Sequence, residues 1–179
     1  MHRSPVLALL QAYVPQTTEE QQIKNHIMTF IQRNEYCFER SLAIGHVTAS
    51  AWLLSQDGSQ ALMMHHKKLD KWVQLGGHCD GNPDVLAVAV KEAQEESGIT
   101  AIAPVSQAIF DLAIFLVPEN AHAPAHAHYD ICFLLQVTGD EEVAKNSESK
   151  ELRWISKKAK KLPTDEPSVM HLFKKWVQK

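Results

Sequence analysis

The stretch Gly76–Ile99 reads GGHCDGNPDVLAVAVKEAQEESGI, and its last third poses an electrostatic problem. Asn82 before Pro83 forms a cap with proline at the first helical position. A helix is therefore predicted over Pro83 to about Ser97, stopped by Gly98, which tolerates positive φ. Glu92, Glu95 and Glu96 then crowd its final turn. A helix C-terminus carries partial negative charge and favours cations, and like charges four apart repel. At 100° per residue the three acids share about one quadrant with Val85, Val88 and Ala89. An apolar stripe that turns acidic faces the protein body, and carboxylates held there need partners. A hard divalent cation such as Mg²⁺ suits such oxygen donors and relieves both the repulsion and the adverse dipole.

Working outward, apolar runs at His46–Ser55 and Gln60–His66, joined by the turn residues QDGS, predict a hairpin, and Lys71–Leu75 a third strand entering the glycine pair. The segment "AIAPVSQAIFDLAIFLVPE" supplies one or two strands, His128–Gly139 another and Lys150–Ser156 a short one. A helix capped by Thr17 or Thr18, with acids in its first turn, places Ile23, Ile27, Phe30 and Ile31 on one face, and a basic-ended helix closes the chain. Strands, helix, strands and helix with hairpin-like joins predict an α/β domain with a mixed sheet covered by helices.

The 179 residues fit one domain or a domain with a short extension. A net charge of −3 excludes a general polyanion binder, so no general nucleic-acid binding is expected. Cys37, Cys79 and Cys132 are scattered and form no CxxC, which suits a reducing cytosol. No apolar run reaches membrane-spanning length, and the first residues lack a small-residue cleavage site; the expected location is the cytoplasm.

The glycine pair, loop, helix and closing Gly98-Ile99 resemble the Nudix box, G-x5-E-x7-R-E-U-x-E-E-x-G-U, over the 23 residues Gly77–Ile99. The looser likeness runs from about His46 to Trp154. It implies a Nudix-like α/β/α sandwich, with residues 1–40 as an N-terminal helical extension packed on a hydrolase domain at 41–179. Glu92 falls on the box's R-E glutamate, and Glu95 and Glu96 on its E-E pair. Two positions depart: Pro83 replaces the first glutamate and Lys91 the arginine, whose ion pair commonly braces the family's loop. Asp80 or Asp84 is expected to pair with Lys91, although lysine lacks the bidentate fork of arginine.

The resemblance implies a Mg²⁺- or Mn²⁺-dependent, MutT-like pyrophosphohydrolase that cleaves a small nucleoside diphosphate derivative. Glu92 and Glu96 would be metal ligands, Glu95 a ligand to a second ion or an orienting group, and the Gly77 carbonyl a further ligand. Glu148 is the candidate general base, with Glu151 as second choice. His65, His66 and Lys67 either meet substrate phosphates or form a solvated strand end. His78 either reaches metal or substrate or makes a structural hydrogen bond. The spacing of His122, His126 and His128 would suit a transition metal, but no cysteine is near and the alanine-rich surroundings read as a flexible surface loop. Trp52, Trp72 and Tyr129 read as core. Two rivals are a ligand-sensing or protein-binding module that has lost catalysis, and an isopentenyl diphosphate isomerase-like enzyme. The isomerase pattern places cysteine before Gly-His, whereas Cys79 follows His78. A homodimer is left open.

Overall fold

A computed structural model describes residues 2–119 and 124–179. In chain order it contains α1 (Ser4–Ala12), α2 (Thr18–Arg33), β1 (Gly45–Leu54), β2 (Gln60–His66), β3 (Lys71–Val73), β4 (Leu75–His78), α3 (Val85–Ser97), β5 (Ile102–Val117), β6 (His126–Val137), β7 (Ser149–Ser156) and α4 (Pro167–Val177). The strands form a seven-stranded mixed sheet ordered β3–β2–β1–β6–β5, with β4 beside β1 and β7 beside β2. Every residue of β1 is buried, as a strand central to a covered sheet requires. The predicted strand at Lys71–Leu75 divides into β3 and β4, and the glycine pair itself belongs to β4. The segment after α3 forms one sixteen-residue strand, β5. Helix α1 was not foreseen: its nine residues carry a proline at the start but no capping side chain.

The residues gather into two compact units. The first comprises residues 1–49, 77–88 and 107–133. Within it, the Thr17 hydroxyl accepts a hydrogen bond from the Glu20 N–H at 3.1 Å and starts α2. Glu20, itself buried, accepts from the Tyr13 hydroxyl at 3.0 Å and the Gln16 N–H at 2.8 Å, fastening the α1–α2 connection. Phe30 of α2 stacks on Tyr129 with ring centroids 3.8 Å apart. Loss of an N-cap costs about 1 kcal/mol, and for a chain of this length each kcal/mol moves the melting point by roughly 2–4 °C. Thr17→Ala should therefore melt about 2–4 °C lower in a thermal scan.

The second unit comprises residues 50–76, 89–106 and 134–179. There β2 pairs antiparallel with β3 (His65 opposite Trp72) and with β7 (Leu62 opposite Trp154, His65 opposite Glu151), with an irregularity between His65 and His66. Helix α4 buries Val169, Leu172 and Trp176, and Trp176 meets the fully buried Trp52 edge-on at 6.1 Å. No described helix is long and apolar enough to cross a membrane.

Candidate active site

Helix α3 begins two residues later than the proline suggested. Asn82 Oδ1 accepts from the Asp84 N–H at 3.0 Å, and Asp84 Oδ1 accepts from the Ala87 N–H at 3.0 Å, so Asp84 is the cap. Asp84 is thus engaged at the helix start, and Asp80 is paired with Arg40; neither is the partner of Lys91. The Lys91 ammonium instead meets Glu95 at 3.1 Å and Glu92 at 3.4 Å. Neighbours one turn apart on a single helix reach each other at little entropic cost, whereas a partner across the loop requires the loop to be held in place. At the far end Gly98 has φ +77°, and a Cβ there would lie 2.7 Å from the Ala144 Cβ, so glycine serves both the turn and the close approach.

The buried stripe Val85, Val88, Ala89 and Ala93 continues into Glu96, which is only 4% exposed. The Gly76 N–H donates to Glu96 Oε2 at 2.8 Å. Burial pushes the Glu96 carboxyl up to about 8, against the lowering effect of that hydrogen bond and helped by the charges of Glu92, Glu148 and Glu95. Burial likewise raises Glu92, opposed by Lys91 and reinforced by Glu95 and Glu148. Glu95 is more than half exposed and faces Lys91.

The polar loop before β7 is ordered around Asn146, whose side-chain oxygen accepts from the N–H groups of Glu148 (2.9 Å) and Ser149 (3.2 Å). The Lys67 N–H donates to the Glu148 carbonyl at 2.7 Å. These bonds place the Glu148 carboxylate where it raises both Glu92 and Glu96, with His66 Nε2 3.9 Å away. Glu151 instead holds Arg153 at 2.6 Å. His65 is bonded to Asp70 at 2.9 Å and stacked on Trp72, and the Lys67 ammonium donates to the Ser147 carbonyl at 3.1 Å. The donor set suits a hard dication: oxygen ligands in mutual repulsion, of which Glu92 and Glu95 meet the Lys91 ammonium while the deeply buried Glu96 is held by a backbone N–H.

The histidine-rich segment departs from expectation. His126 and His128 lie on β6, where residues two apart share a face, and not in a flexible surface loop; His122 lies outside the described residues. His78, at the end of β4, has its ring centroid 5.0 Å from those of His46 and His128. Burial foremost, then the neighbouring imidazoles, lowers His46 to about 4 and His128 to about 3, so both rings are neutral at pH 7. His46 was not foreseen in any role, because residues 46, 78 and 128 are too far apart in sequence to form a spacing motif.

A mixed sheet flanked by helices carries a strand–glycine–loop–helix unit ending in clustered carboxylates, and this defines the class of fold. The NUDIX domain model matches residues 45–176, and the chain belongs to the Nudix hydrolase family. Among solved structures, the fold is similar to a C. elegans Ap4A hydrolase in a binary complex (15% identity over 74% of this chain and 95% of that one, TM-score 0.59). It is also similar to a MutT protein from Methanosarcina mazei Go1 (20%, 76% and 96%, TM-score 0.58). A NUDIX-family hydrolase from Clostridium perfringens gives 23%, 73% and 95%, with a TM-score of 0.55. Comparison with curated proteins finds no sequence match.

Proposed function

We propose that the protein is a Mg²⁺- or Mn²⁺-dependent cytoplasmic hydrolase that cleaves the diphosphate linkage of a nucleoside diphosphate joined to a second moiety, residues 1–40 forming an extension to the catalytic domain at 41–179. The observation that carries this reading is the buried Glu96 carboxyl, held by one backbone N–H among other acids. A purely structural role offers no reason to bury it there, and a bound dication does.

Glu92 and Glu96 would hold the ion, with the Gly77 carbonyl as a further donor and Glu95 as a ligand to a second ion or an orienting group. When bound, the ion neutralises the diphosphate, polarises the attacked phosphorus and acidifies water. Glu148 accepts a proton from the attacking water as its oxygen bonds to one phosphorus. The bridging P–O bond breaks, and its electron pair leaves on the departing phosphate. His66 and Lys67, flanking Glu148, would meet substrate phosphates; His65 is engaged with Asp70 and Trp72 and would brace that strand end.

The test is incubation with Mg²⁺ and a panel of dinucleotides, nucleotide sugars, ADP-ribose and nucleoside triphosphates, followed by identification of both phosphorylated products. Glu148→Gln should lower kcat by about 10²–10⁴-fold, the usual contribution of a positioned base, with KM little changed. An unaffected Glu148→Gln beside an inactive Glu151→Gln would move the base to Glu151. Binding without turnover across the panel would leave a sensing module.

A further inference from the structure

The first unit contains a second cluster of ligating side chains that the acidic site does not use. His46 opens β1, His78 ends β4 and His128 lies near the start of β6, and each offers a ring nitrogen within 4.8 Å of the other two. His126 joins them, its Nε2 3.2 Å from His128 Nε2. We propose that His46, His78 and His128, with His126 at the fourth position, bind a late first-row divalent cation of the zinc class.

Three observations support the site. His46 is 3% exposed, and neither of its ring nitrogens has a hydrogen-bond partner. Two buried polar atoms left so are unusual, and a metal bond to either would satisfy part of that need. The 3.2 Å between His126 and His128 Nε2 matches the separation of about 3.3 Å between two nitrogens on a tetrahedral ion with bonds of about 2.0–2.1 Å. The chain segments that carry His46 and His128 are also tied together by backbone and side-chain contacts. The Thr48 hydroxyl, two residues beyond His46, donates to Asp130 Oδ1, two beyond His128, at 2.7 Å, and the Ala127 N–H donates to the Ile44 carbonyl at 3.2 Å. Strand alternation then carries His46 and His128 onto the side shared by Thr48 and Asp130. The donor set is all imidazole, which selects zinc, cobalt, nickel or copper over magnesium. It is therefore chemically distinct from the carboxylate site and independent of the function proposed there.

Tag-free protein, stripped with chelator and kept in excess Mg²⁺, is titrated with Zn²⁺ against a chromophoric chelator. One equivalent should bind per chain. His78→Ala and His128→Ala should weaken binding by roughly 100-fold or more, since even the outer partners of a zinc ligand are worth 10–100-fold, whereas Glu96→Gln leaves it unchanged. Circular dichroism checks that the variants are folded. Cobalt loading of the unmutated protein needs no variant: intense visible bands of a four-coordinate nitrogen site are expected. A weak six-coordinate spectrum, zinc binding that survives both histidine substitutions, loss of binding on Glu96→Gln, or no stoichiometric uptake would each overturn the proposal.

Discussion

Glu96→Gln lowers hydrolytic turnover by about 10²–10⁴-fold and, in the chelated protein at pH 8, raises the melting temperature. The first effect follows from losing a ligand to an ion that supplies several kcal/mol of transition-state charge stabilisation, at about 1.36 kcal/mol per decade. The second follows from burial, which raises the Glu96 carboxyl from 4.5 to about 8. Below the unfolded value both states hold the proton and no penalty exists. Between 4.5 and about 8 the unfolded chain is ionised while the folded one keeps its proton, so stability falls as pH rises and levels off above the folded value. The loss at pH 8 is on the order of a few kcal/mol, or roughly 5–10 °C for a chain of this size. The amide escapes it while still accepting from Gly76. Thermal scans of both proteins between pH 5 and 9 in chelator check the prediction. Mg²⁺ should then stabilise the parent and not the variant. A variant that melts lower at every pH would make Glu96 a structural anion and remove the support for the catalytic reading.

Gly45→Ala is expected to cost about 2–4 kcal/mol, combining a disfavoured backbone conformation with a steric clash. Gly45 has φ +143°, and a Cβ there would lie 2.3 Å from the Ala127 carbonyl oxygen. That oxygen is backbone and cannot rotate away, and the neighbouring Ala127 N–H is tied to Ile44. The strand entrance must therefore separate, which moves His46 away from His126 and His128. The melting point should fall by roughly 5–15 °C, and the folded fraction should lose zinc affinity while keeping Mg²⁺-dependent turnover. Unchanged melting and zinc binding would show that the β1–β6 approach is not needed to hold the four imidazoles.

The helix with the three acids, the succession of strands along the chain and a threonine cap at Thr17 or Thr18 were legible because each rests on local chemistry. Periodicity, capping residues and turn residues act over fewer than ten positions, and they report the backbone they impose. The partner of Lys91 was misread for the opposite reason. Asp80 and Asp84 were close in sequence, but Arg40 and the Ala87 N–H had already taken them, and neither contact is visible in the order of residues. The same holds for Glu148 and its second choice Glu151: the Glu148 backbone donates to Asn146 and accepts from Lys67, with its charge felt at Glu92 and Glu96, while Glu151 closes on Arg153.

By itself the amino-acid order determined that this chain is an α/β protein with an acidic helix end suited to a divalent cation, because a helix projects Glu92, Glu95 and Glu96 to one side whatever surrounds it. Only the tertiary structure decided how deeply Glu96 is buried, which loop acid faces it, and that His46, His78, His126 and His128 share one place. Those properties depend on strand neighbours brought together across long stretches of chain, where desolvation and repulsion depend on distance in space and not on separation along the backbone.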